Sequence, residues 1–250
     1  MRKTLTLAAA LLFAFSLQAA ELTVDEILAK NTEARGGLEK LQKVKTMRFN
    51  GKLSMGGMEA AFIMAKKRPE MVKMEFTIQG MTGVQAYDGA TGWMVMPFMG
   101  KKDPEAMSGD MLKEFKDQAD FDGPFVDYAK KGNKVELLGK ADVEGTPTYK
   151  VKLTTKEGNE TLVYIDAETF LEVKMEAKRK MQGQEIEGET TLGNYQEVEG
   201  LLMPFSIEMK AKGAPAGQSI TIEKAELNVE IDDAAFKMPA VKPAAEAVKQ

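Results

Sequence analysis

The residue types that most often carry catalysis are missing from this sequence. Its 250 residues include no His and no Cys. Without an imidazole or a thiol, the chain lacks the commonest general base and the parts of Ser-His-Asp or Cys-His nucleophile systems, and it has no His ligand for zinc or iron. A Gly-rich phosphate-binding loop is missing as well. The sequence therefore disfavours an enzyme, hydrolases included, and predicts no catalytic residue, metal or cofactor.

Paired carboxylates are the remaining candidates for cation chemistry. Asp120 lies two positions before Asp122, and Asp232 is followed by Asp233. Such pairs could bind a cation, but neither belongs to an Asp-x-Asp-x-Asp-Gly calcium loop. Asp88 begins an Asp-Gly dipeptide, which is typical of hairpin turns. We interpret these carboxylates as solvated turn residues.

A basic group stands at the end of an apolar segment. Lys66 and Lys67 precede Arg68, which has the same parity as Phe62 and Met64. In a strand that continues in register, the guanidinium lies at the rim of the apolar face. There it could bind backbone carbonyls of a helix or the polar head of a ligand. A charged strand end in solvent is the other interpretation.

Methionine is concentrated in one part of the chain. Twelve of the eighteen methionines lie between Met47 and Met111. Met is unbranched and polarizable, so it adapts to apolar partners of variable shape. This pattern predicts a deformable surface that binds apolar ligands, although an ordinary core in which Met replaces Leu fits the composition equally well.

Alternation of apolar and polar residues predicts β-strands. Three successive segments place Met and Phe on one side: Met47, Phe49, Leu53 and Met55; Met58, Ala60, Phe62 and Met64; Val72, Met74, Phe76 and Ile78. Nine further segments with strand character follow, separated by turn signals such as Glu199-Gly200. About a dozen strands joined by short turns predict an antiparallel sheet, which must close into a barrel or be covered.

A helical region is predicted before the strands. Residues 23–43 begin with a capping box formed by Thr23 and Glu26, and Gly36-Gly37 is expected to divide the helix in two.

A second helical region interrupts the strands at residues 103–132. A short additional helix is expected at 124–129, because Pro is favoured in a first turn. The apolar face of this insertion needs a surface to cover, and the Met-lined side of the sheet provides one. The residues at helical spacing are Met107, Met111, Leu112, Phe115 and Ala119.

The two ends of the chain differ from the rest. Residues 1–20 combine a basic start, an apolar run too short to span a bilayer and small residues, which predicts a secretory signal peptide cleaved after Ala19 or Ala20. Residues 21–239 are predicted to form one domain, and 240–250 a disordered tail. The net charge of −4 argues against nucleic acid as a partner.

Several short motifs follow one another in a particular order after the N-terminal helix. They are Lys67-Arg68-Pro69; Asp88-Gly89-Ala90-Thr91-Gly92-Trp93 with Pro97; the helical insertion; Tyr164-Ile165-Asp166-Ala167-Glu168-Thr169; and Tyr195 with Val198, Gly200, Pro204 and Phe205. In this order and spacing the chain resembles the LolA-like superfamily of periplasmic outer-membrane lipoprotein-sorting proteins. The resemblance covers essentially the whole chain after the leader.

The resemblance implies a mainly β fold with helices, an unclosed antiparallel β half-barrel of about 11–12 strands with a helical lid. It further implies that acyl chains bind between sheet and helices, and that the Arg of the Arg-Pro motif, here Arg68, holds the lid closed. The chain differs from typical carriers in its length, its Met content and its Gly92-Trp93 pair. The superfamily also includes outer-membrane receptors and a periplasmic stress sensor.

We therefore predict a periplasmic carrier that moves lipoproteins or lipids toward the outer membrane. The alternative is a periplasmic sensor or adaptor that binds lipidated or unfolded protein on the same scaffold. The expected partners are acyl chains, an inner-membrane donor complex and an outer-membrane acceptor, and the chain is expected to be a monomer. The predicted acyl-chain cavity consists of Phe49, Met55, Phe62, Met64, Met74, Phe76 and Trp93, the lid of Met107, Met111, Leu112 and Phe115, and the lid latch of Arg68.

Overall fold

The alternating segments of the sequence form one antiparallel sheet in the computed structural model, which describes residues 21–181 and 184–240. Within these residues the sheet has thirteen strands. They are β1 (Thr46–Met55), β2 (Met58–Lys67), β3 (Met71–Ile78), β4 (Met81–Tyr87), β5 (Gly92–Met96), β6 (Lys101–Ala106), β7 (Lys134–Val143), β8 (Thr146–Thr154), β9 (Glu160–Asp166), β10 (Glu172–Met181), β11 (Gln184–Val198), β12 (Leu201–Ala211) and β13 (Gln218–Leu227).

The order of the strands leaves the sheet unclosed. Strands β6 and β7 are consecutive in the chain but form the two opposite edges, while β1 pairs with β13 in the middle. The predicted mainly β fold with an unclosed antiparallel sheet is confirmed, with thirteen strands instead of 11–12. The additional strand is β6, part of which falls within the region predicted to be helical, 103–132.

Three α-helices lie in the described part of the chain: α1 (Val24–Ala34), α2 (Leu38–Lys43) and α3 (Gly109–Ala119). Thr23 and Glu26 form the predicted capping box. Gly36-Gly37 separates α1 from α2, as predicted. The helix predicted at 124–129 is wrong, because the backbone there forms turns. In the described residues, no helix has the length and apolar character needed to cross a membrane.

All three helices pack on the same side of the sheet, which we call the inner face. Strand pairing aligns Phe49 with Met64 and Met64 with Met74, so these side chains belong to that face. Helix α1 covers the inner face of β7–β10, where Ile27 packs with Val151 and Val163. Helix α3 covers the inner face of β2–β5, and α2 reaches the centre of the sheet through Leu41.

The opposite side of the sheet, the outer face, is largely charged. Lys73 pairs with Glu75 at 2.6 Å, and Lys174 pairs with Glu189 at 3.0 Å. Alternation along each strand therefore divides the residues between an apolar inner face and a mainly polar outer face, on which Ala65, Ile231 and Phe236 form a small apolar cluster. The predicted signal peptide at 1–20 and most of the predicted tail at 240–250 lie outside the described residues.

Gly51 allows the two halves of the sheet to meet. The pairing of β1 with β13 shifts register between Asn50 and Gly51, and a Cβ on Gly51 would lie 2.0 Å from the carbonyl oxygen of Thr221. Because backbone cannot yield as a side chain does, we expect Gly51→Ala to lower the free energy of unfolding by about 3 kcal/mol. Urea denaturation followed by circular dichroism measures the change.

Gly193→Ala is the matched control for this substitution. Gly193 also lies within a strand, but a Cβ there would meet no atom within 4 Å. Ala should be neutral or stabilise the protein by about 0.4–1 kcal/mol through the unfolded state. Equal effects of the two substitutions would show that the close contact at Gly51 is unimportant.

Candidate functional site

The centre of the inner face is a continuous apolar surface. Phe49 and Phe62 are buried there, with Met64, Met74 and Phe76 packed against them. The rings of Phe62 and Phe76 lie 5.8 Å apart between centroids. The structure thus brings together five of the seven residues predicted to line the acyl-chain cavity.

Strands β12 and β13 extend this surface with residues that are not among the predicted cavity residues. Met203 and Phe205 on β12 and Ile220 and Ile222 on β13 are buried in the same cluster. The signal was present in the sequence, since Leu201, Met203, Phe205, Ile207 and Met209 alternate as the early strands do. What the sequence could not show is that β13 lies beside β1.

Met55 lies at the open end of the surface rather than inside it. This side chain is 40% exposed at the β1–β2 hairpin. Met58, Met81 and Met99 are also exposed at hairpin ends on the same edge of the molecule, and we call these four residues the methionine rim. A shallow pocket of about 490 Å³ adjoins the rim, lined in part by Met55, Met209 and Gln218.

Helix α3 covers the inner face at the other end of these strands. Phe115 and Ala119 are buried against Val72 and Tyr87, and Leu112 packs beside them. Met107 is buried just before the helix. The contact is close because β5 presents a glycine: a Cβ on Gly92 would lie 2.7 Å from Cδ1 of Leu112.

Two of the predicted site residues lie elsewhere. Met111 is 43% exposed, so its assignment to the buried side of the lid is wrong. The apolar stripe of α3 runs through Leu112, Phe115 and Ala119, and Met111 lies beside that stripe.

The prediction that Trp93 lines the cavity is also wrong, because this residue lies on the outer face. It pairs with Ala86, and its indole Nε1 donates a hydrogen bond of 2.7 Å to the carbonyl of Phe236. Its neighbours Gly92 and Met94 are the residues that face α3. The alternation of the strand therefore excludes Trp93 from the inner face.

Arg68 joins three segments that are distant in the chain. It follows β2, and its Nε and Nη2 donate to the carbonyls of Val44 and Leu41 at 2.7 and 3.1 Å, at the end of α2. Its Nη1 donates to Oδ2 of Asp122 at 2.8 Å, and Nη2 donates to the other carboxylate oxygen. The guanidinium also lies 4.2 Å from the ring centroid of Phe121. It thus links the sheet, α2 and the segment after α3.

Lys66 lies two residues before Arg68 on the inner face. Its Nζ donates to the carbonyl of Asp120 at 2.7 Å and lies 5.7 Å from the ring centroid of Phe121. Burial lowers the pKa of the ammonium to about 8, an effect that the nearby Asp120 and Asp122 oppose.

Asp120 and Asp122, which follow α3, are ion-paired. The prediction that they are solvated turn residues is therefore wrong. Asp120 pairs with Lys131 at 2.7 Å, and Lys131 also donates to the carbonyl of Gly123 at 2.8 Å. Asp122 pairs with Arg68. The available signal was the matching spacing of Lys66-x-Arg68 and Asp120-x-Asp122, which are separated by more than fifty residues. In the described residues no group of three or more acidic side chains could hold a metal ion.

Comparison with known proteins assigns the chain to a family. A family model with the description "-like: Uncharacterized protein" matches residues 85–242, which is more than half of the chain. The chain belongs to this family. No curated protein matches the chain in sequence.

Solved structures show that this family member has a LolA-like fold. A DUF1329 family protein from Desulfovibrio piger superposes with a TM-score of 0.62 at 14% identity, covering 88% of this chain and 99% of that one. A LolA superfamily protein from Nitrosomonas europaea gives 0.58 at 16%, with 87% and 98% covered. A domain from Vibrio parahaemolyticus, described as a candidate outer membrane lipoprotein-sorting protein, gives 0.56 at 12%, with 84% and 94% covered.

The contacts of Arg68 predict the local stability of α3. Arg68→Leu removes the charge-assisted contact with Asp122, and losing a contact of this kind costs about 1.5–3 kcal/mol, so we expect the amides of α3 to exchange about 10–100-fold faster, with sheet amides unaffected. Arg68→Lys should be intermediate because an ammonium lacks the planar fork. Hydrogen–deuterium exchange with mass spectrometry measures both.

Lys52→Leu is the control for this experiment. Lys52 forms an exposed ion pair with Glu223 at 3.4 Å on the outer face, and such pairs contribute little. Exchange in α3 should match the unsubstituted protein. If Arg68→Leu gives the same result as Lys52→Leu, Arg68 does not stabilise the position of α3.

The Asp122 carboxylate predicts the acid sensitivity of the same contact. The hydrogen bond with Arg68 holds the pKa of Asp122 below its ordinary value of 3.8. Partial burial of the carboxylate opposes this effect but is the smaller of the two. A carboxylate whose pKa is lowered in the folded protein stabilises the fold fully at pH values above its unfolded-state pKa. This stabilisation is lost as the pH falls through the lower, folded-state pKa. We therefore expect Asp122→Asn to cost about 1–2 kcal/mol between pH 5 and 8, and less below pH 4. Calorimetry of both proteins across pH 3–8 tests this, and a difference that varies between pH 5 and 8 contradicts it.

Proposed function

We propose that this chain is a periplasmic carrier that binds the acyl chains of lipoproteins or lipids on its inner face, beneath α3, and moves them toward the outer membrane. One observation carries the proposal. Met64 and Met74 pack against both the central apolar cluster of the sheet and the cluster formed with α3. The helix therefore covers an apolar surface on which a ligand could take its place.

The energy available from such a ligand is sufficient. Moving one CH₂ group from water to an apolar site contributes about 0.8 kcal/mol, so a sixteen-carbon chain could contribute roughly 10 kcal/mol before ordering costs. The covering contacts come from a few side chains, chiefly Met107 just before α3 and Leu112, Phe115 and Ala119 within it. An acyl chain can therefore compete with the helix for the inner face.

The methionine content suits release as well as binding. Met fills irregular space and repacks without a single preferred shape. A surface lined by Met64 and Met74 can accept chains of different length, and the methionine rim offers an apolar exit at the open end. Branched side chains in the same places would favour one fixed packing.

Arg68 serves as the lid latch in this proposal. It holds the carboxylate of Asp122 after α3 and two carbonyls at the end of α2. Because these bonds are directional, they favour one closed arrangement, whereas apolar contacts alone would tolerate many. Opening requires the Arg68–Asp122 contact to break.

The role in transport is supported by the fold of the solved structures, one of which is described as a candidate outer membrane lipoprotein-sorting protein. By this proposal a donor at the inner membrane and an acceptor at the outer membrane exchange acyl chains with the protein. The carrier binds its cargo and performs no covalent chemistry on it.

A disulfide between the lid and the sheet tests the proposal. The chain has no Cys, so Gly92→Cys with Leu112→Cys would introduce its only thiols. Leu112 Cδ1 lies 2.7 Å from the place of a Cβ on Gly92, so the two side chains face each other directly across the contact between α3 and β5. We expect the oxidised variant to lose binding of a fluorescent sixteen-carbon fatty-acyl probe, and reduction to restore it.

The unsubstituted protein and a Gly92→Ser, Leu112→Ser variant are the controls, and neither should respond to reductant. The titration uses probe fluorescence at fixed protein concentration. Equal binding by the oxidised and reduced cysteine variant would place the acyl site elsewhere than beneath α3, and the absence of probe binding by the unsubstituted protein would refute the carrier function.

A further inference from the structure

Lys66 breaks the apolar pattern of the inner face. Ala60, Phe62 and Met64 precede it on the same side of β2. Its partners across the neighbouring strands are Met47 and Val72, both buried. An apolar residue here would continue the pattern without the penalty of burying a charge. The position of this lysine therefore needs a reason other than the stability of the sheet.

Lys66 and Arg68 both donate hydrogen bonds to the segment after α3, residues 120–122. The ammonium of Lys66 donates to the carbonyl of Asp120, and the guanidinium of Arg68 donates to both oxygens of Asp122. The ring of Phe121 lies against both cations. When the lid moves away, both cations lose these partners and face the inner surface together.

We propose that Lys66 and Arg68 bind the anionic headgroup of an amphiphile, a phosphate or a carboxylate, whose acyl chain occupies the inner face. In the closed form the 120–122 segment occupies this headgroup site, with Asp122 in the place of the anion. This inference rests on the carrier function proposed above and adds the chemical class of the cargo.

The existing contact with Asp122 shows that the site accepts an anion. A guanidinium that holds both oxygens of a carboxylate presents the same fork to a phosphate. Lys66 lies two residues away on the same face, so one anionic group can reach both cations. Its pKa of about 8 leaves the ammonium mainly charged at pH 7.

The distances along the sheet fit an amphiphile in this orientation. From Lys66 to Met58 on the methionine rim, β2 spans eight residues, or about 26 Å at 3.3 Å per residue. An acyl chain extends across about half of the ~30 Å hydrocarbon core of a bilayer. A chain anchored by its headgroup at Lys66 therefore runs over Met64 and Phe62 toward the rim and stays on the apolar surface.

Competition between matched amphiphiles tests the inference. The displaced probe is a neutral fluorescent acyl ester, and the competitors are monododecyl phosphate, dodecanoate and the neutral lauroylglycerol, all at pH 7 and below their micellar concentrations. We expect the two anionic competitors to displace the probe at about tenfold lower concentration than lauroylglycerol. Inorganic phosphate alone should not displace it, because the site requires the chain.

Lys66→Met should remove most of this preference while leaving displacement by lauroylglycerol unchanged or improved. Lys66→Arg should retain the preference. Lys67→Met is the matched control, since Lys67 is the next residue but pairs with Asp233 at 2.6 Å on the outer face; it should retain the full preference. Asp122→Asn should strengthen binding of the anionic competitors, because it weakens the internal occupant of the site. Lys66→Gln replaces Lys66→Met if the latter does not fold, as judged by circular dichroism.

The outcomes separate the two proposals. If all three amphiphiles bind and Lys66→Met leaves their relative affinities unchanged, the headgroup site is refuted while the carrier function stands. If no amphiphile displaces the probe and the probe itself does not bind, both are refuted. A preference lost equally in Lys66→Met and Lys67→Met would show a general charge effect and overturn the inference.

Discussion

The apolar inner face of an unclosed sheet must be covered, and this constraint governs the rest of the structure. A barrel would bury the face by closing, but here β6 and β7 remain apart. Helices cover the face instead. Under α1, Val151 and Ile165 are almost completely buried. Under α3, Val72 is fully buried as well, while Met64 and Met74, which also belong to the central cluster, remain partly buried. The incompletely covered part of the inner face is therefore the methionine surface between α3 and the centre of the sheet.

The cover that α3 provides is fixed by polar contacts at its end. Apolar packing has no preferred direction, so α3 alone could slide over the Met side chains with little change in energy. The guanidinium of Arg68 restricts it, because bonds to Asp122 and to the end of α2 have defined geometry. Lys66 adds a hydrogen bond to the carbonyl of Asp120 at the same end. In the proposed carrier, breaking these contacts with residues 120–122 would release the helix as a unit, and the deformable apolar surface beneath it would adapt to either state.

The sequence predicts the parts of this arrangement that depend on local pattern. Period-two alternation identifies the strands and their inner residues, and the capping box with Gly36-Gly37 identifies α1 and α2. Errors arise where the packing of one element against another determines which residues are in contact. Met111 has helical spacing but lies beside the stripe of α3 that contacts the sheet. Trp93 is predicted to line the cavity, but its neighbours Gly92 and Met94 occupy the inner side of β5, which places Trp93 on the outer face. The ion pair of Asp122 with Arg68 joins residues far apart in the chain, so the periodicity of either segment does not reveal it. The pairing of β1 with β13 is inaccessible for the same reason.

The balance between lid and ligand sets a limit on how strong either can be. A ligand shifts a two-state lid only by the difference in its affinity for the two states, and moving from almost fully closed to almost fully open takes about 5.5 kcal/mol. An acyl chain can supply that amount from roughly 10 kcal/mol of gross burial energy only if the lid itself contributes a few kcal/mol. A branched, rigid inner face would bind α3 too tightly for exchange, and a lid without Arg68 would leave the apolar surface exposed between cargoes. In the proposed carrier, methionine beneath α3 and Arg68 at its end would together keep both states accessible.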